Sequence, residues 1–379
     1  MDLRTKFEGL ATSLKAQLFE RGEVVDGMMN AAIAGEHVLL VGVPGTAKSA
    51  LVTAFTQAVT GASYFEWLLG RFTVPEELFG PLSLKALEEE KYRRVTEGKL
   101  PQAHVAFLDE VFKGNSAILN TLLPIMNERK FYNNGAPQKL QLRMLVGASN
   151  ELPEGAELAA MYDRFLVRFS VDYIKGAQNW VSMIMSSGVT TPSISLEEWD
   201  AARDEAAKIS MDRNLVEELH KLRDLLSTQN VTVSDRRWKQ CVKLLKAEAW
   251  RMGDTEVSEE HFKALTPALW NEVTQVQAVR EACEQAAGAT SQEAARIVKQ
   301  MKEVIGRIPA PNPGEKVSAE TQKMMVSANH DGSRGLARLK ELVVNAKTPR
   351  SKRVAESAVK ELEEAMRPMR QTMRAVLEL

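Results

Sequence analysis

Apolar positions along the chain fall into two regimes. Up to about residue 190, short apolar runs alternate with stretches of helical spacing; from Leu196 onward the spacing is helical almost throughout. Leu3, Phe7, Leu10, Leu14 and Leu18, then Val24, Val25, Met28 and Met29, recur at helical intervals, which predicts helix over 3–33 broken at 19–23. Five short runs read as strands: HVLLV (37–41), SYFEWLL (63–69), VAFLDE (105–110), QLRMLVGA (141–148) and residues 166–171. Helices are predicted over 50–60, 117–128 and 176–187, with Pro124 expected to kink the second. Asn133-Asn134-Gly135 predicts a hairpin turn within 130–140. Residues 72–82 read as loop, and 85–100, with YRRVTEG, as a short hairpin.

From Leu196 to Ala287, four or five helices fit, with breaks near 209–212, 230–234, 253–258 and 266–267. IPAPNPG (308–314) reads as a linker, and Thr348-Pro349 separates two charged helices over 319–345 and 350–378. The expected plan is an α/β unit over 1–190 with a parallel sheet, a helical unit over 191–287 and helical segments over 288–379, the first boundary lying in the turn-rich 188–195. A length of 379 residues suits two or three domains.

Charge refines this plan. The net charge is −1, so no bulk polyelectrolyte partner is implied, but residues 286–379 carry 17 Lys and Arg against 11 Asp and Glu, leaving −7 on the rest. The two cysteines, Cys241 and Cys283, have no metal-ligand spacing and point to a reducing compartment. No apolar run is long enough to span a bilayer, and the N-terminus lacks a signal-peptide core, so a cytoplasmic location is expected.

The chemistry centres on GVPGTAKS: Gly42, Val43, Pro44, Gly45, Thr46, Ala47, Lys48 and Ser49, with Ala50 opening the next helix. A strand precedes it and a helix follows, the context of a phosphate-binding loop. Loop N–H groups and the helix N-terminus would wrap polyphosphate oxygens. Lys48 would reach the β- and γ-phosphates, and Ser49 would ligate Mg²⁺. Ala47 stands where a Gly is usual and is tolerable there if its φ is negative. Some 60 residues on, a buried strand ends in Asp109 and Glu110. Ligands collect at the carboxyl ends of parallel strands, so Asp109 is placed for the Mg²⁺ shell and Glu110 to polarise the attacking water.

These motifs, with Asn150 at the tip of the next strand and Arg164 in YDRF, resemble AAA+ ATPases. GVPGTAKS, LFGPLSLKAL, VAFLDEVFKGNSAILNTLLPIMNERKF, LVGASNELPE, MYDRFLVR and VSDRRWKQCVKLLKA resemble the MoxR family, its RavA branch in particular, over about residues 8–250. That resemblance implies a three-layer P-loop AAA+ sandwich, a helical lid and a homo-oligomeric ring, a hexamer, hydrolysing ATP with Mg²⁺. It implies Asn150 as sensor 1, Arg164 as arginine finger with Arg168 the alternative, Arg236 as sensor 2 with Arg237 the alternative, and 22–25 against adenine. It also implies a remodelled protein partner, often one with a von Willebrand factor A domain, touched by the insertions 71–100 and 130–140, with Lys91, Tyr92, Arg93 and Arg94 as contact candidates. A nucleic-acid motor and an ATP-gated scaffold are rival classes. The sequence has no helix-turn-helix, zinc or aromatic-basic module, and its acidic body opposes phosphate-backbone binding.

Overall fold

The computed structural model describes residues 2–153, 155–185, 191–308, 318–346 and 349–377. Helices α1 (Leu3–Gln17) and α2 (Gly22–Ala34) open the chain with the predicted break between them. The buried strand β1 (Val38–Val41) leads through the glycine-rich loop into α3 (Lys48–Gln57), then β2 (Val59–Thr60) and β3 (Tyr64–Leu68). Two short helices, α4 (Pro75–Phe79) and α5 (Leu84–Glu88), precede β4 (Val105–Asp109).

Helix α6 (Ser116–Glu128) is capped by the Asn115 side chain, which accepts from the Ile118 N–H, and it runs on through Pro124. The hairpin of β5 (Lys130–Asn133) and β6 (Ala136–Lys139) turns on Asn134 and Gly135, whose φ of 55° and 73° suit a type I′ turn. Then come β7 (Met144–Ser149), α7 (Ala156–Tyr162), β8 (Val167–Ser170), α8 (Ala177–Met185) and β9 (Ile194–Ser195), which pairs with β2. Helices α9 (Leu196–Ala207), α10 (Arg213–Thr228), α11 (Asp235–Met252), α12 (Thr266–Leu269), α13 (Val276–Ala286), α14 (Ala289–Gly306), α15 (Ala319–Asn345) and α16 (Pro349–Leu377) complete the chain.

The main sheet is parallel, in the order β3-β4-β7-β1-β8. Its strands β1 and β7 are buried along their whole length, as expected when a parallel sheet is covered on both faces. Leu39, Val41, Ala106, Leu108 and Leu145 from the strands meet Ile118 and Leu122 of α6 in one apolar cluster. Fully burying each such leucine is worth about 1.5–3 kcal/mol, which fixes the strand ends that carry the polar residues.

Some local expectations differ from the structure. The helix expected over 50–60 ends at Gln57, and Val59–Thr60 form β2. Residues 72–82 contain α4, which starts with Pro75 in its first turn, where a missing N–H costs nothing. Residues 85–100 form no hairpin. They hold α5 and one isolated antiparallel bridge, Leu82 to Arg94, because the run from Glu88 to Lys91 has no alternating apolar face to pair. Residues 188–190 of the boundary expected over 188–195, residues 309–314 of the linker expected over 308–314, and Thr348 lie outside the described residues.

By packing, residues 1–257 with 264–280 form one compact unit, and 258–263 with 281–379 another. In the first, α11 packs on α2 and α9, and the buried Arg251 bonds Glu8, Asp26 and Asn30. In the second, Ala294, Val298 and Met301 of α14 share a core with Met325, Leu336 and Leu339 of α15 and Ala358, Leu362 and Met366 of α16. The three-and-four spacing of these positions is that of a helical bundle seam.

Candidate nucleotide site

The glycine-rich loop hangs on the carboxyl end of β1. Gly42 donates its N–H to the Ser149 carbonyl at 3.0 Å, so the loop is anchored to the end of β7. A side chain at Gly42 would put its Cβ 2.0 Å from the Val171 carbonyl oxygen, so only glycine fits between the two strands. Ala47 has φ of 63°, which overturns the expectation of a negative φ there. The reason is local. Gly45 and Ala47 both take positive φ, and alternation of handedness along a loop turns successive N–H groups into one concavity. An L residue in that region costs about 1–2 kcal/mol, strain stored at the site.

The Lys48 ammonium donates to the carbonyls of Gly42, at 2.5 Å, and Val43, at 3.0 Å. Burial lowers its pKa, while the charges of Asp109 and Glu110 act in the opposite sense. The loop and the end of β4 therefore share one electrostatic site. Asp109 accepts from the Glu110 N–H at 2.9 Å. Glu110 is itself left-handed, φ 51°, a turn that swings its side chain off the strand. Its side chain is 14% exposed, bonded through Oε1 to the Asn150 amide and paired through Oε2 with Lys113 at 3.2 Å. Lys113 escaped the sequence reading; its place three residues after Glu110 was the available signal.

The set fits Mg²⁺ with ATP. The loop offers an N–H concavity for the phosphates, and Ser49 with Asp109 offers the hard oxygen donors that Mg²⁺ prefers alongside phosphate and water. When bound, the metal would neutralise charge developing on the transferred phosphoryl group.

The arginines lie elsewhere. In β8, Val167 pairs with Val38 and Ser170 with Val41, so residues preceding β8 sit at the amino edge of the sheet. At about 3.3 Å per residue, that edge is about 10 Å from the end of β1 where the loop begins. Arg164 bonds the Ala160 carbonyl there, and Arg236, at the start of α11, pairs with Asp163 at 2.6 Å. The same helix reaches Glu36, just before β1, through Gln240 and Lys243. One chain thus brings Lys48, Asp109, Glu110 and Asn150 together, and gathers Arg164 with Arg236 at the opposite edge.

The alternatives are committed elsewhere. Arg168 is 1% exposed, bonds the carbonyls of Phe165, Trp270 and Tyr162 at 2.9, 2.9 and 3.0 Å, and lies over the Tyr162 ring. Burial and the nearby Arg237 push its pKa down to about 9. Arg237 is 2% exposed and bonds Asn271, Ala268 and Trp270. Asn271, missed in the sequence, accepts from both.

The two insertions meet. Asn133 of the hairpin accepts from the Arg94 N–H at 2.7 Å and donates to the Arg94 carbonyl at 3.3 Å, and Asn134 donates to the Tyr92 carbonyl at 3.1 Å. The Arg94 guanidinium is engaged by Glu76 and the Gly80 carbonyl, and Lys91 by Glu89. Tyr92 and Arg93 are exposed, and Phe72 is 95% exposed.

A parallel sheet of this order, with a glycine-rich loop after the inner strand β1 and two carboxylates at the end of β4, two strands away, defines a P-loop ATPase of the AAA+ class. A profile described as the MoxR domain in the MoxR-vWA-beta-propeller ternary systems matches residues 5–211, and an AAA lid domain profile matches 214–283. The chain belongs to the MoxR family of AAA+ ATPases and is an ATP hydrolase. It is 39% identical over 278 residues to an uncharacterised protein of Methanocaldococcus jannaschii, 73% of each chain, and 41% identical over 268 residues to a second from that organism, 70% of this chain and 71% of the relative. It is 28% identical over 204 residues to the chaperone MoxR1 of Mycobacterium tuberculosis, 49% of this chain and 52% of the relative. A solved structure from Cytophaga hutchinsonii, 15% identical, shares the fold at a TM-score of 0.61 over 75% of this chain and 94% of that one. Among the described residues, no helix is long and apolar enough to cross a membrane.

Proposed function

We propose that the protein is a ring-forming, Mg²⁺-dependent ATPase of the RavA branch, working in the cytoplasm as a hexamer that remodels or activates a protein partner. Domains at 1–190, 191–287 and 288–379 serve as core, lid and C-terminal appendage. In this reading Lys48 and the loop hold the phosphates, Ser49 and Asp109 hold the metal shell, and Asn150 orients Glu110. Glu110 takes the proton from the attacking water. A partner with a von Willebrand factor A domain fits the family profile's name, and the name of MoxR1 fits a chaperone role.

The observation that carries the ring is the separation of the arginines from the phosphate loop. Arg164 and Arg236 lie at the amino edge of the sheet, whereas Gly42–Ser49 lies at its carboxyl edge. A second copy brings the two edges together, with Arg164 as finger and Arg236 beside it. Arg236 then reads the neighbour's nucleotide rather than its own.

Mixing subunits tests this. Arg164→Ala should bind ATP on its own loop and lower hydrolysis on the order of 10³-fold at the neighbouring site. Glu110→Gln should also bind and fail to hydrolyse. Mixed assemblies contain interfaces where an intact Glu110 faces an intact Arg164, so mixing should restore activity. Absence of recovery at every ratio, with mixed assemblies demonstrated, would count against a finger supplied in trans.

A further inference from the structure

Asp163 sits between the two arginines to which the preceding reading gives the neighbour's phosphate. It ends α7, and its carboxylate accepts from Arg236 Nη2 at 2.6 Å and from the Ser234 hydroxyl at 3.4 Å. Its carbonyl accepts from the same Nη2 at 3.2 Å. Arg236 is therefore held through one nitrogen, although a guanidinium offers five donors in a fork that suits a bidentate anion. Its side chain is 42% exposed and the Asp163 side chain 34%, so the pair is open to exchange.

The surroundings are short of negative charge. Asp163 acts on Arg164, Arg168 and Arg237 as well as on Arg236, so one carboxylate serves four guanidiniums. Arg164 and Arg236 repel one another, and burial, with that repulsion added, depresses the Arg164 pKa. Behind them, Arg168 and Arg237 are tied to neutral acceptors at Trp270 and Asn271. The cluster is thus cationic in one chain, and it is open only on the Arg164 and Arg236 side.

We propose that Asp163 is a stand-in for the neighbour's terminal phosphate, holding Arg236 beside Arg164 until a nucleotide on an adjoining copy displaces it. Asp163 is a positioning residue here and touches no substrate. It keeps two like charges in place in the lone chain, and it competes with the phosphate for Arg236. A consequence is that it sets the protein concentration at which nucleotide drives assembly. The inference rests on the reading that Arg164 and Arg236 serve a second copy.

The experiment is sedimentation of the full chain over a range of protein concentrations, with Mg²⁺ and a non-hydrolysable ATP analogue. Removing the competing charge in Asp163→Asn should lower the concentration for half-assembly by about two- to fivefold, the range set by a half-exposed ion pair. In an Arg236→Ala background the same substitution should have no such effect. An unchanged or raised midpoint in folded Asp163→Asn overturns the proposal. So does a lowered midpoint that persists without Arg236, since Asp163 would then act only through bulk charge. If Asp163→Asn does not fold, Asp163→Ser, which keeps an acceptor for Ser234, is read on the same scale. Arg236→Ala separates this from the underlying reading. If that variant assembles like the unaltered chain, the reading fails and takes the inference with it. If it assembles poorly while Asp163→Asn leaves the midpoint in place, only the inference fails.

Discussion

Asn150, at the tip of β7, donates its side-chain amide to Glu110 Oε1 at the end of β4, forty residues earlier in the chain. The neighbouring strands fix both ends of that bond, and Lys113 occupies the other carboxylate oxygen. The carboxylate is therefore oriented before any water reaches it. Glu110→Gln keeps the shape and the bond to Asn150 can re-form, but the amide cannot take a proton. Hydrolysis should fall by about 10²–10⁴-fold with ATP still bound, as measured by turnover beside nucleotide titration. Normal turnover would remove Glu110 from the proposed role.

Position 47 tolerates a methyl group and little else. Ala47 is left-handed, and a β-branched side chain there is a genuine outlier. Ala47→Val should abolish nucleotide binding by flattening the loop, whereas Ala47→Gly should retain it. Calorimetric titration of both variants decides the matter, and equal affinity for the two would mean that the loop's handedness is immaterial.

Arg168 and Arg164 should separate on stability. Arg168→Met strands the Phe165 carbonyl, whereas the Trp270 and Tyr162 carbonyls keep their bonds from Arg237 and the Phe165 N–H. With one unsatisfied buried carbonyl costing about 1–3 kcal/mol, the loss should be of that size, seen as a lower thermal midpoint. Arg164→Ala should leave that midpoint almost in place. A stable Arg168→Met protein that binds ATP and fails to hydrolyse it would reverse the assignment.

The buried His37 should make the first unit sensitive to mild acid. Its Nδ1 accepts from the Leu145 N–H and its Nε2 faces the Met126 carbonyl, while burial and the Arg129 charge hold its pKa well below the ordinary value. The unfolded chain takes up a proton below about pH 6.5 that the folded chain refuses, so stability is full above that pH and falls as pH drops. The slope should be about 1.4 kcal/mol per pH unit for this group. His104, also held low by burial, acts in the same direction. Denaturant midpoints at pH 7, 6 and 5 are the measurement, and a flat series would contradict it.

The parts legible in the sequence were those whose cause is local. The phosphate loop, the β4 carboxylates, Asn150 and the Asn134-Gly135 turn each declare themselves within a few residues. The unreadable parts depend on partners brought from far along the chain. Arg168 and Arg164 lie four residues apart, and what buries one of them is Trp270, about a hundred residues on. Asp163 was in plain view in YDRF, but its importance comes from Arg236, seventy-three residues away. The handedness of Ala47 was misjudged because one residue type does not declare the alternation of its neighbours.

The hydrogen bonds between Asn133 and the backbone of Arg94 make the two insertions co-dependent. Deleting the 130–140 hairpin removes the acceptor and donor that hold the segment around Arg94, and trimming that segment strips the hairpin of its Asn133 bonds to it. Loss-of-function from either deletion is therefore an effect of both. Their separate contributions to the proposed partner contact are accessible only through point changes at exposed tips, such as Phe72, Tyr92 and Tyr132, that leave the Asn133 clasp closed.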